Sequence, residues 1–130
     1  MTRYVAAAAA VFGITVSSAS HATGGLACRP LNGAGPSLNL VIGHGIPSGL
    51  VSVTLTERAR SISTFDKPQV IAIDQSWINS QIVWLDLVDV RSGVRVVRLR
   101  ASSAKRSRIP AYTGTLARHG RITRVRCIES

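Results

Sequence analysis

The chain has 130 residues, of which 45% are hydrophobic and 5% aromatic, with 16 Lys and Arg against 6 Asp and Glu and a formal net charge of +10. That length leaves room for one domain and excludes the larger multidomain enzyme classes. The charge disfavours cationic partners and favours anionic ones.

The N-terminus reads as a leader. Met1 to Tyr4 carries one positive side chain, Arg3, and Val5 to Val16 is an apolar, Ala-rich run. Ser17 to Ala22 follows, with small residues at Ser20 and Ala22 placed for a cut before Thr23. This is the layout of a secretory signal peptide. The run is too short to span a bilayer, which needs about 20 apolar residues. The expectation is a signal peptide over 1–22 and an all-β domain over 23–130, periplasmic or secreted, with no transmembrane segment in the mature chain.

Cys28 and Cys127 are the only cysteines. An even count in an exported chain predicts a disulfide joining the two ends of the domain. Gly25-Leu26-Ala27-Cys28 also carries a faint lipoprotein pattern. The apolar run ends about a dozen residues too early for it, and acylation would leave Cys127 unpaired.

Beyond Thr23 no sustained 3.6-residue apolar period occurs. Short runs rich in Val, Ile, Leu and Thr alternate with Gly, Pro, Ser and Asp instead. Leu38 to Ile42 is the first, ended by the Gly43–Gly49 loop. Leu50 to Thr56 alternates, with Val51, Val53 and Leu55 on one face. Arg60 to Phe65 reads as a short edge strand, and Gln69 to Asp74 follows the Pro68 break. Asp74 to Asn79 has room for one helical turn. Gln81 to Val90 is the most buried candidate, with Val83, Leu85 and Leu87 on one face and Ile82, Trp84 and Val88 on the other. Arg91-Ser92-Gly93 is a hairpin turn into Val94 to Arg100, where a phase slip between Val96 and Val97 suggests a bulge or a poorly defined strand start. A last hairpin joins Ala111–Ala117 to Arg121–Ile128 through Arg118-His119-Gly120. These runs predict an antiparallel sandwich or barrel of six to seven strands, closed by the N-to-C-terminal disulfide.

Charge divides the chain. Residues 23–90 hold four basic and five acidic side chains, whereas residues 91–130 hold eleven basic ones and a single acid, Glu129. Arg98 and Arg100 flank Leu99, and Arg124 and Arg126 flank Val125, so each pair lies on the face opposite its apolar neighbour. With Lys105, Arg106 and Arg108 on the adjoining loop, they form the candidate site for an anionic partner: a glycan, a lipid headgroup or an acidic protein. Solvation alone also accounts for arginines on an outer face.

Little else suggests chemistry. Ser102-Ser103-Ala104-Lys105 matches the Ser-x-x-Lys spacing of penicillin-recognising enzymes but lies in a basic loop without the companion motifs. His44 and His119 sit beside glycines in turns and lack the further ligands zinc needs. Asp86 and Asp89, three apart on a strand, face opposite ways; Asp86 shares a face with Ile82 and Trp84, which points to an ion pair with one of the arginines. Trp77 and Trp84 read as core or half-core residues. Nucleic-acid binding lacks its stacking platform, since Tyr112 and His119 are the only rings after residue 90. The reading is therefore a non-catalytic binding domain without cofactor or metal, the alternative being an envelope-enzyme inhibitor acting through Gly43–Gly49.

Overall fold

The computed structural model describes residues 24–43, 49–103 and 111–130. Residues 1–22, expected as a leader, residues 44–48 of the Gly43–Gly49 loop, and Lys105, Arg106 and Arg108 lie outside those residues. Nine strands are formed: β1 (Gly24–Pro30), β2 (Ser37–Gly43), β3 (Gly49–Glu57), β4 (Arg60–Ser63), β5 (Ile71–Ile78), β6 (Ile82–Asp89), β7 (Arg95–Ser103), β8 (Ala111–Arg118) and β9 (Arg121–Glu129). They make one antiparallel sheet in the order β4-β3-β2-β1-β9-β8-β7-β6-β5. The sheet curls until β3 touches β5 without pairing to it, giving a nearly closed barrel.

Alternation along each strand fills the interior. Leu38 and Leu40 of β2, Val53 and Leu55 of β3, Val83, Leu85 and Leu87 of β6, Val97 and Leu99 of β7, and Val125 of β9 are all buried there. Each such side chain contributes roughly 1.5–3 kcal/mol when fully removed from water. Cys28 and Cys127 belong to the same inner layer, stand directly opposite one another across β1 and β9, and are disulfide-bonded. The bond joins the first strand to the last at a sequence separation of 99. A loop of that size corresponds to about 4–5 kcal/mol on the chain-entropy model. A bonded Cys28 has no thiol left to acylate, and the disulfide fits an oxidising compartment outside the cytoplasm.

The structure corrects three expectations. Among the described residues there are nine strands where six to seven were expected: each of the eight apolar runs forms a strand of its own, and β1, whose phase shows only through Leu26 and Cys28, is the ninth. Of the two expected architectures, sandwich or barrel, the structure shows the barrel, built from one continuous sheet. Asp74 to Ile78 is not a helical turn but the second half of β5, carried past Asp74 by a bulge between Ile73 and Gln75. Val51 leaves the inner face and is exposed, since the register shifts at Val41/Ile42 and Leu50 turns toward the core instead. The slip at Val96 is a real bulge, with Leu87 opposite Val97 and Val88 opposite Arg95.

One close approach and two left-handed turns shape the barrel. Gly114 of β8 pairs with Ala101 of β7, and a Cβ on it would overlap the Arg100 carbonyl. The β3–β4 turn places Arg58 at φ 49° and Ala59 at φ 62°, and the β8–β9 turn places His119 at φ 51° and Gly120 at φ 71°. Such two-residue loops favour Asn-Gly. A left-handed backbone at Arg58 or Ala59 costs about 1–2 kcal/mol each.

Candidate functional site: an arginine and tryptophan wall

On the outer face of β6–β9 the register sets side chains in rows. Trp84 stands opposite Arg100, Arg100 opposite Thr115, and Thr115 opposite Arg124. A second row runs Ser102, Thr113, Arg126 and on to Arg29 of β1. At an inter-strand spacing of about 4.8 Å, Trp84 and Arg124 lie about 14 Å apart along their row. The candidate arginines Arg98, Arg100, Arg124 and Arg126 therefore share one wall.

They do not share one environment. Asp86, only 3% exposed although it faces outward, sits under three guanidinium groups. Arg100 grips it with both arms of its fork, Nη1 to Oδ1 at 3.0 Å and Nη2 to Oδ2 at 3.2 Å. Arg98 Nε donates to Oδ1 at 3.3 Å, and Arg95 Nε stands 3.8 Å from Oδ2. Burial opposes ionisation of Asp86, but hydrogen bonds from Arg100 and Arg98, with their charges, outweigh it and hold the carboxyl below the usual aspartate range. The expected ion pair is thus formed, by three arginines where one was anticipated. Arg124 and Arg126 are exposed and, among the described residues, have no carboxylate within 4.0 Å.

The tryptophans are not core residues. Trp77 is 62% and Trp84 48% exposed, and they face each other across β5 and β6. The Arg100 guanidinium lies 5.3 Å from the centroid of the Trp84 ring. That contact is electrostatically favourable, and because Arg100 is also tied to Asp86 and to the Leu99 carbonyl at 2.8 Å, it holds the indole in place. Asp74, Gln75, Ser76, Ile82 and the two indoles border an open cleft of about 670 Å³. Alternation already placed Trp84 opposite the buried Val83, Leu85 and Leu87, so its exposure was readable. For Trp77 no such signal existed, because the Asp74 bulge resets its phase.

A shallower groove of about 400 Å³ lies beyond the arginine rows, between Arg29, Leu31, Arg126 and Ile128. Among the described residues no three His, Cys, Asp or Glu side chains converge as metal ligands would. What the wall offers is a flat aromatic surface, a fixed guanidinium and, farther along, cations with no carboxylate within 4.0 Å among the described residues. Comparison with family models, characterised proteins and solved structures gives no match to this chain.

Proposed function

We propose that this protein is an exported, non-catalytic binding domain that meets an anionic glycan with the outer wall of β5–β9. The observation that carries the reading is the exposed Trp84 indole braced by Arg100, in the same cross-strand row as Arg124 three strands away, which has no carboxylate within 4.0 Å among the described residues. An indole face packs against the apolar side of a pyranose ring, and its quadrupole favours the polarised C–H groups there. Arg124, Arg126 and Arg29 then supply charge for carboxylate or sulfate substituents. The leader and the disulfide support a periplasmic or secreted site, where such polymers occur. A lipid surface would engage a broad cationic patch without needing a braced aromatic ring. The inhibitor alternative rests on residues 44–48, outside the described structure.

The chain's two tryptophans both belong to this wall, so their emission reports its occupancy. Heparin-derived oligosaccharides should quench that emission saturably, with an affinity that falls steeply with salt. Trp84→Ala should weaken binding about tenfold or more, as expected for a central aromatic anchor. Salt-insensitive binding, or binding to anionic liposomes alone, would reject the glycan reading.

A further inference from the structure

The mouth of the barrel beside the β3–β4 and β8–β9 turns has a different chemistry. Three inner-face rows run past the core there: Leu55 is followed by Glu57, Leu116 by Arg118, and Val125 is preceded by Thr123 and Arg121. Residues in the inner phase point into the barrel and, at its end, into the mouth. Charge at these positions is therefore directed at an opening, not at the outer wall. The opening is a cleft of about 700 Å³ bordered by Glu57, Arg58, Arg118, His119, Arg121 and the Asn32–Pro36 loop.

Within it, Arg118 and Glu57 satisfy each other. Arg118 Nε donates to Glu57 Oε2 at 2.5 Å, and Nη1 donates to the Val96 carbonyl at 3.4 Å. The Arg118 side chain is 15% exposed, so it forms the floor of the cleft. Its hydrogen bond is the main reason the Glu57 carboxyl stays below its usual range; burial opposes this, and the charges of Arg118, His119 and Arg58 add to it. Arg58, His119 and Arg121 remain, all exposed and, among the described residues, without an ion-pair partner within 4.0 Å. Arg58 and His119 occupy equivalent first positions of two left-handed turns. Asn-Gly would relieve the β3–β4 turn, yet the chain has Arg-Ala, and backbone strain of this kind concentrates at ligand clamps.

We infer that this cleft is a second binding site, independent of the wall, for a tetrahedral oxyanion such as a phosphate or sulfate ester group. Arg58 and Arg121 hold the anion, His119 at the rim of the cleft adds a ring N–H donor, and the Arg118–Glu57 pair fixes the floor.

Inorganic sulfate is a suitable probe, because it is a tetrahedral oxyanion that is fully ionised near neutral pH. Titrated into the intact oxidised protein at constant ionic strength, it should shift the backbone amide signals of Arg58, His119, Gly120 and Arg121 saturably, leaving tryptophan emission unchanged. Phenyl phosphate and phenyl sulfate compared at pH 8 then show which ester is preferred. The double variant Arg58→Asn/Ala59→Gly should raise the unfolding midpoint by a few degrees while weakening sulfate binding. Shifts spread equally over Arg29, Arg124 and Arg126, failure to saturate, or full affinity in that variant would overturn the site. None of these results depends on the glycan reading.

Discussion

Arg98-Leu99-Arg100 on β7 and Arg124-Val125-Arg126 on β9 are nearly the same tripeptide, on the same wall of the same barrel. Their side chains have opposite duties. The β7 pair covers a carboxylate that faces outward from β6, and Arg100 also braces Trp84. The β9 pair stands opposite Thr113 and Thr115, which offer no counter-charge. An arginine's role is thus set by what its neighbouring strand presents. One pair is engaged with a carboxylate and an indole; the other, among the described residues, has no carboxylate within 4.0 Å.

The largest effect should come from the covalent bond behind the β9 pair. Among the described residues that pair has no carboxylate within 4.0 Å, and the strand that carries it is bonded to β1 through Cys127. The double variant Cys28→Ser/Cys127→Ser should lose about 4–5 kcal/mol of unfolding free energy, read as a lower denaturant midpoint.

Asp86→Asn should break the comparison itself. Removing the carboxylate should cost about 1.5–3 kcal/mol, the range for hydrogen bonds to charged groups. It should also make the β7 arginines behave like the β9 pair, so the variant should elute from a heparin column at higher salt. Unchanged stability and elution would show that Asp86 anchors nothing.

Acid titration sharpens the same point. The folded Asp86 carboxyl ionises below its unfolded value of about 3.9. Its contribution is therefore fully present above that value and lost as pH falls through the folded pKa. The stability gap between the wild type and Asp86→Asn should be constant from pH 7 to 5 and shrink toward pH 2.5. A gap that persists in acid would point to packing instead of charge.

The smallest stability effects belong to β9. Arg124→Ser and Arg126→Ser should change unfolding free energy by no more than about 0.5 kcal/mol while reducing heparin retention. Arg100→Ser, by contrast, should cost about 1–2 kcal/mol and shift tryptophan emission, because it releases the indole.

Much of the framework was legible because strand alternation is local. Val83, Leu85 and Leu87 declared their shared face, the Val96–Val97 slip announced a bulge, and Asp86 lay in the right phase for an arginine partner. Phase-resetting bulges at Val51 and Asp74 were not legible, and they alone explain why Val51 and Trp77 are exposed. Glu57 and Arg118 are 61 positions apart, and no short-range pattern links them.

The sequence by itself determined an all-β chain, its paired cysteines, and an excess of positive charge after residue 90. Those features depend on composition and on neighbours one or two positions away. Only the tertiary structure decided which arginines are neutralised, which tryptophans face out, and which charged residues meet at the barrel mouth. These depend on register between strands distant in sequence, where a shift of one residue turns a side chain from the core to the solvent.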